Sequence, residues 1–194
     1  MTALPIFSLV QCQSCRFGFP ATLYVASGYV GGSAGWLADL GQGGRPMMSW
    51  RQIASLAEAG IEIGAHSVSH PHLDILGRER AAMEIVGSRS AIEDAIGRPV
   101  RTFAYPHGYS TVATRRITAE AGFLAACSVR HAFSSRHEDR FSLSRIIIED
   151  SMGAAEISHF LVGKGLAVAP TAFRPTTFGW RQARRIKQLM ATTL

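Results

Sequence analysis

The sequence predicts an α/β domain in which parallel strands alternate with helices packed outside them. Three observations predict it. Short apolar runs of strand length alternate along the chain with stretches of helical period. Glycines at 60, 97 and 122 follow those stretches where a helix would stop. The two most unusual side-chain clusters each come at the end of a strand pattern, where parallel α/β folds place their sites.

The first strand is the apolar run Phe19-Pro20-Ala21-Thr22-Leu23-Tyr24-Val25-Ala26, ended by Ser27-Gly28. The Gly-rich stretch 28–44 that follows is long for a loop, and long loops in compact domains are often functional. Ser49-Trp50-Arg51-Gln52 is a capping box: the Ser49 hydroxyl can accept from the backbone three residues on, and Gln52 can reach back. Ile53, Leu56 and Ala57 give that helix its apolar stripe, and Gly60 stops it. Ile61 to Ala65 is the next strand. A helix from about Glu79 to Ile96 carries Ile85, Val86, Ile92 and Ile96 near one face and stops at Gly97. Thr102 to Tyr105 is a strand ended by Pro106, Val112 to Ala121 a helix ended by Gly122, and Phe123 to Ser128 a strand. Phe141 to Ile148 reads as a further strand and Ala154 to Val162 as a further helix. Strands and helices alternating at this spacing are βαβ units.

The 194 residues fit a single domain, and a chain of that length buries roughly 70% of its unfolded surface without staples. Three cysteines, Cys12, Cys15 and Cys127, argue against a disulfide framework and for a reducing compartment. The uncharged stretch 17–38 holds Pro20 and five glycines, which excludes a transmembrane helix. No basic segment precedes an apolar run at the N-terminus, so the expected location is the cytoplasm. The net charge is +6, and five basic residues, Arg174, Arg181, Arg184, Arg185 and Lys187, fall in the last 21 residues with no acid among them. Such a tail can face an anionic glycan or membrane surface, or lie as a helix on the domain; a solvated face is the expectation. No nucleic-acid partner and no stable membrane insertion are expected, and the oligomeric state is open.

The first cluster is Gly64-Ala65-His66-Ser67-Val68-Ser69-His70-Pro71-His72-Leu73. Neutral imidazole is a good ligand for Zn and similar divalent ions. Two histidines four apart meet across a tight turn here, because a strand comes before them and Pro71 after. A lone pair at this spacing also arises by chance in solvated loops. The second cluster is Arg101-Thr102-Phe103-Ala104-Tyr105-Pro106-His107-Gly108-Tyr109. A strand ending in Pro and Gly gives a rigid turn with backbone N–H groups free to face a ligand. Aromatic faces beside it suit a sugar ring, although an ordinary strand end with core aromatics reads the same way.

Taken in order, His66-Ser67-x-x-His70-Pro71 and then Phe103-Ala104-Tyr105-Pro106-x-Gly108 resemble the polysaccharide deacetylase family (the NodB-homology domain, carbohydrate esterase family 4). Gly18 to Val25 resembles that family's second strand, and Arg145 in Leu143-Ser144-Arg145-Ile146 its late strand. The resemblance implies a distorted (β/α) barrel over residues 1–170, missing its first strand, with 171–194 as the basic tail or helix. It implies a hydrolase removing N- or O-acetyl groups from a polysaccharide or chitooligosaccharide. A divalent metal, Zn by preference, would be held by His66, His70 and an Asp. The backbone N–H of His107 would serve an oxyanion hole, and Tyr105 and Pro106 would wall the sugar groove.

The sequence departs from that family in one decisive place. The family's Asp-Asp pair, source of the general base and the third ligand, belongs in the window 1–16, which holds no acidic residue; the first is Asp39. Leu4-Pro5-Ile6-Phe7 resembles the helix that follows the missing motif. Asp74 is near His70 and is a conceivable substitute ligand. No late motif supplies a general acid, and His131, His137 and His159 stand in unlike contexts. The sequence therefore implies little or no deacetylase activity from this polypeptide alone. Two rival readings remain at this point. One is a non-catalytic carbohydrate-binding barrel. The other is a zinc-dependent nucleic-acid-binding protein using Cys12, Cys15, His66 and His70, whose pairs lie much farther apart than in a zinc finger.

Overall fold

The computed structural model describes residues 18–169, 179, 181–184 and 186. Leu4 to Phe7, Cys12, Cys15, Arg174, Arg185 and Lys187 lie outside them. Four strands, β1 (Thr22–Val25), β2 (Glu62–Ala65), β3 (Thr102–Ala104) and β4 (Ala125–Cys127), form one parallel sheet in the order β1-β2-β3-β4. The helices are α1 (Trp50–Glu58), α2 (Arg78–Ile96), α3 (Val112–Glu120) and α4 (Ala154–Leu161). The expected α/β class and parallel order hold. Among the described residues, β1 is an edge and the sheet does not close on itself.

The local chemistry explains where each element starts and stops. At the head of α1 the Ser49 hydroxyl accepts from Gln52 N–H, and the Gln52 side chain accepts from Ser49 N–H at 2.9 Å. Thr111 and Thr114 repeat this reciprocal cap at the head of α3. Gly97 ends α2 in the left-handed conformation (φ 64°) that glycine adopts without a Cβ penalty. Each strand is shorter than its apolar run.

Alternation along the strands sorts the residues onto two faces. Val25, Ile63, Ala65, Phe103 and Ala126 point to one face and are buried against Ile53 and Leu56 of α1, Ile85 and Ile92 of α2, and Ile117 of α3. Each large apolar side chain so buried contributes about 1.5–3 kcal/mol. The other face is polar. Thr22 and Thr102 donate to Glu62 at 2.7 and 2.9 Å, and the Tyr24 hydroxyl sits 3.6 Å from Cys127 Sγ. Gly64 lies on this face under the Tyr24 ring, where an added Cβ would sit 2.5 Å from Tyr24 Cε1 and 2.9 Å from Thr102 Oγ1. Gly64→Ala should therefore cost about 1–3 kcal/mol of stability by overpacking. Urea unfolding checks this, and an unchanged midpoint would refute it.

Two expectations fail. Val86 of α2 is 45% exposed; only Ile85 and Ile92 of the predicted stripe are buried, with Ile96 partly so. The predicted strand Phe141 to Ile148 is an irregular segment touching the sheet through one bridge, Cys127 with Leu143. Side chains capture its backbone: Asp139 accepts from Phe141 N–H at 2.9 Å and Glu138 from Ser144 N–H at 3.1 Å. Such local bonds compete with a strand ladder.

Candidate active site

β2 delivers His66 to the C-terminal end of the sheet. Its backbone N–H still bonds Val25 carbonyl at 2.9 Å, so the residue is held as a continuation of the strand. Its Nδ1 lies 2.6 Å from the Ala104 carbonyl at the end of β3. A carbonyl only accepts, so the proton is on Nδ1 and Nε2 keeps its lone pair. This is how metal-binding histidines are commonly oriented.

The chain then turns through Ser67 and His70, both at positive φ (65° and 55°). Non-glycine residues at positive φ are uncommon and tend to cluster at functional sites. The turn brings the His70 ring to 4.9 Å from His66, and His107 and His72 join them. His70 is 4.7 Å from His107, and His72 stacks on His107 at 3.9 Å. His107 also sits at positive φ (56°) in the short turn Pro106–Gly108. That turn closes with Gly108 N–H on the Tyr105 carbonyl, which leaves His107 N–H out of it.

One aromatic wall comes from the Gly-rich loop. Trp36 stacks on His70 at 4.8 Å, and Tyr29 packs edge-on to Trp36 at 4.6 Å. On the other side, Tyr109 lies 6.2 Å from His72, and the Arg184 guanidinium covers the Tyr109 ring at 4.1 Å. Arg184 also bonds Asp74 at 2.7 Å, and Arg181 donates to the Asp74 carbonyl at 3.1 Å.

Burial sets the charge state. It pushes His70 down to about 3, helped by His66 and His107, and His72 down to about 4, helped by His107 and Arg184 against the opposing Asp74. His66 and His107 are lowered by burial too, against a raising hydrogen bond to a backbone carbonyl in each case. All four rings are neutral at pH 7, the form that ligates metals.

The donors do not complete a metal centre. His66 offers Nε2, and His70 Nδ1 is buried without a partner. A catalytic Zn usually takes three protein ligands, and among the described residues no three His, Cys, Asp or Glu side chains come together to hold an ion. Asp74 is not the substitute that its nearness in sequence to His70 suggests, because its carboxylate is bound by Arg184.

The sequence-predicted site residues divide accordingly. His66, His70 and His107 come together. Tyr105 and Pro106 do not wall a groove: both are fully buried. Tyr105 stands two residues after Phe103 and so shares its core-facing side, with its hydroxyl donating to Thr118 at 3.2 Å. The tail is not a solvated face at Arg181 and Arg184, which are partly buried against Asp74. Sequence reasoning missed Trp36 and Arg184 as neighbours of the site, and it named His72 and Tyr109 only as members of the two clusters, without a role. The length of the loop carrying Trp36 was the one available signal.

Comparisons with known proteins point one way. The family model for polysaccharide deacetylase matches residues 15–126. A Bacillus subtilis (strain 168) protein named "Putative polysaccharide deacetylase YxkH" is 19% identical over 146 residues, covering 75% of this chain and 48% of that protein. The chain thus spans about half the length of that relative. The Streptococcus pyogenes deacetylase PplD, solved with acetate, superposes with a TM-score of 0.67 at 19% identity, covering 79% of this chain and 64% of that one. A de-N-acetylase from Aggregatibacter actinomycetemcomitans gives a TM-score of 0.63 at 13% identity, covering 80% and 70%. At these identities the two structures support the fold alone. The parallel sheet, the paired histidine and FAYPHG motifs at its C-terminal end and the family match over more than half the sequence together place this chain in the polysaccharide deacetylase family.

Proposed function

We propose that this chain carries the glycan groove and the histidine half of a metal-dependent deacetylase centre acting on N- or O-acetyl groups of a polysaccharide or chitooligosaccharide. The observation that carries the reading is the contact between His66 and His70, neutral and with the His66 tautomer fixed, at the C-terminal end of β2. A divalent ion such as Zn, when bound, would polarise an acetyl carbonyl and lower the pKa of its water. This chain supplies two of the donors, and among the described residues no carboxylate joins them as the third. What its own residues can do is narrower. Trp36 and Tyr29 offer aromatic surface to a sugar, and the His107 N–H is free of its turn's closing bond and is suited to an acyl oxygen. Alone, the chain is therefore a glycan binder with little or no turnover, which favours the carbohydrate-binding rival over the nucleic-acid one.

The test measures metal content, chitooligosaccharide affinity and acetate release with added Zn. The expected result is glycan binding with acetate release far below that of an intact family member. Turnover comparable to such an enzyme would refute the claim of inactivity, and absence of glycan binding would refute the groove.

A further inference from the structure

The loop between the two histidines is held by a residue of another element. Glu84, in the second turn of α2, accepts from Val68 N–H at 2.9 Å and Ser69 N–H at 2.8 Å through Oε2, and from the Ser69 hydroxyl at 2.5 Å through Oε1. Three donors from two consecutive loop residues thus converge on one carboxylate. The rest of the loop backbone is also fixed. Ser27 N–H bonds the Ser67 carbonyl at 3.1 Å, Gly28 N–H bonds the Val68 carbonyl at 2.9 Å, and His70 N–H bonds Ser67 Oγ at 3.0 Å. Gly87, three residues after Glu84 and so on the same helix face, lets α2 approach: a Cβ there would lie 3.3 Å from Val68 Cγ2.

We infer that Glu84 is the positioning residue of the site, holding the Ser67–His70 turn so that His66 and His70 keep their mutual geometry without help from a bound ligand. The energetic argument is specific. Ser67 and His70 at positive φ each carry a backbone cost, and such conformations persist only where the surroundings over-determine them. Bonds from N–H and O–H donors to an ionised carboxylate are roughly twice as strong as neutral ones, so Glu84 is the strongest of the restraints on this turn. The nearest acid along the chain, Asp74, is bound to Arg184 instead. Glu84 does not touch the imidazoles. It acts through Val68 and Ser69.

The inference rests on reading His66 and His70 as a ligand pair, and the experiment separates the two. Glu84→Ala, Glu84→Gln and Ser69→Ala are made in the full chain. Zn affinity is titrated, the thermal midpoint is recorded, and the backbone amide and imidazole resonances of residues 66–70 are followed by NMR. Gln keeps an oxygen for the Val68 and Ser69 N–H groups, and its NH2 can donate to a reoriented Ser69 hydroxyl. The expected result is that Glu84→Ala weakens Zn binding by about tenfold or more, the scale seen when outer-shell support of a ligand is lost. It should also shift the His66 and His70 ring resonances, while Glu84→Gln recovers most of both and Ser69→Ala changes little. A merely structural role would lower the thermal midpoint without this selective loss and rescue. A folded Glu84→Ala protein with wild-type Zn affinity and unmoved ring resonances would overturn the inference. If the wild type takes no Zn, the ligand reading fails, and the ring and amide resonances alone decide the role of Glu84. If Glu84→Ala does not fold, Glu84→Gln decides it: ring resonances moved far from the wild type with the fold intact would refute the rescue.

Discussion

Arg184→Met should lower the unfolding free energy by about 3–5 kcal/mol, the cost of leaving one partner of a buried ion pair without the other. The Asp74 side chain is 2% exposed and bonds Arg184 at 2.7 Å. Its second oxygen already has no partner. Without Arg184 the carboxylate retains only Arg181, whose Nε is 3.9 Å away and is better engaged with the Asp74 carbonyl. That residual contact places the loss toward the lower end of the range. The double variant Asp74→Leu with Arg184→Met removes both charges and should recover most of the stability, because the desolvation cost disappears with them. Urea unfolding of the wild type, the two single variants and the double variant forms a complete cycle. A single-variant loss below about 1 kcal/mol would place this pair with ordinary surface bridges.

Acidification should destabilise the domain more steeply than its carboxylates alone predict. His70 and His72 are pushed down to about 3 and 4 from an ordinary value of 6.5, chiefly by burial, and His66 and His107 move in the same direction. A histidine whose folded pKa lies below its unfolded one binds its proton more weakly when folded. Its contribution is intact above the unfolded value and is lost as pH falls from about 6.5 toward the folded values. The charged groups facing the cluster act in both directions: Arg145 beside His66 and Arg184 beside His72 and His107 oppose protonation, whereas Asp74 favours it at His72 and His107. The thermal midpoint is expected to fall between pH 6.5 and 4, and His70→Gln should flatten that fall. A midpoint constant from pH 7 to 5 would contradict the burial argument.

What could be read from the sequence was local. Ser49 and Gln52 lie within one helical turn, so their reciprocal cap follows from order alone, and the structure contains it. Gly97 stops α2 for the same kind of reason. His66 and His70 could be found because a strand pattern leads straight into them. The errors arose where side chains competed for backbone groups, or where residues far apart in sequence meet. Phe141 to Ile148 has strand composition, but the Asp139 and Glu138 side chains take the N–H groups of Phe141 and Ser144. The family resemblance puts Tyr105 in the groove, whereas the period of two from Phe103 puts it in the core, where the structure has it. Trp36, Glu84 and Arg184 reach the site from 34, 14 and 114 residues away from His70, separations at which composition and periodicity carry no signal.

The bond between Asp74 and Arg184 also bears on the order in which this polypeptide can become complete. The two residues are 110 positions apart. Closing so long a loop adds an entropic cost that must be met before the contact yields anything, and contacts of large sequence separation slow folding. A chain that ends between residue 128 and residue 183 contains all four strands and the histidine turn but holds Asp74 without its principal counter-charge. A series of released truncations ending before and after residue 184 should thus pass from a protease-sensitive to a protease-resistant product at that point, which limited proteolysis checks.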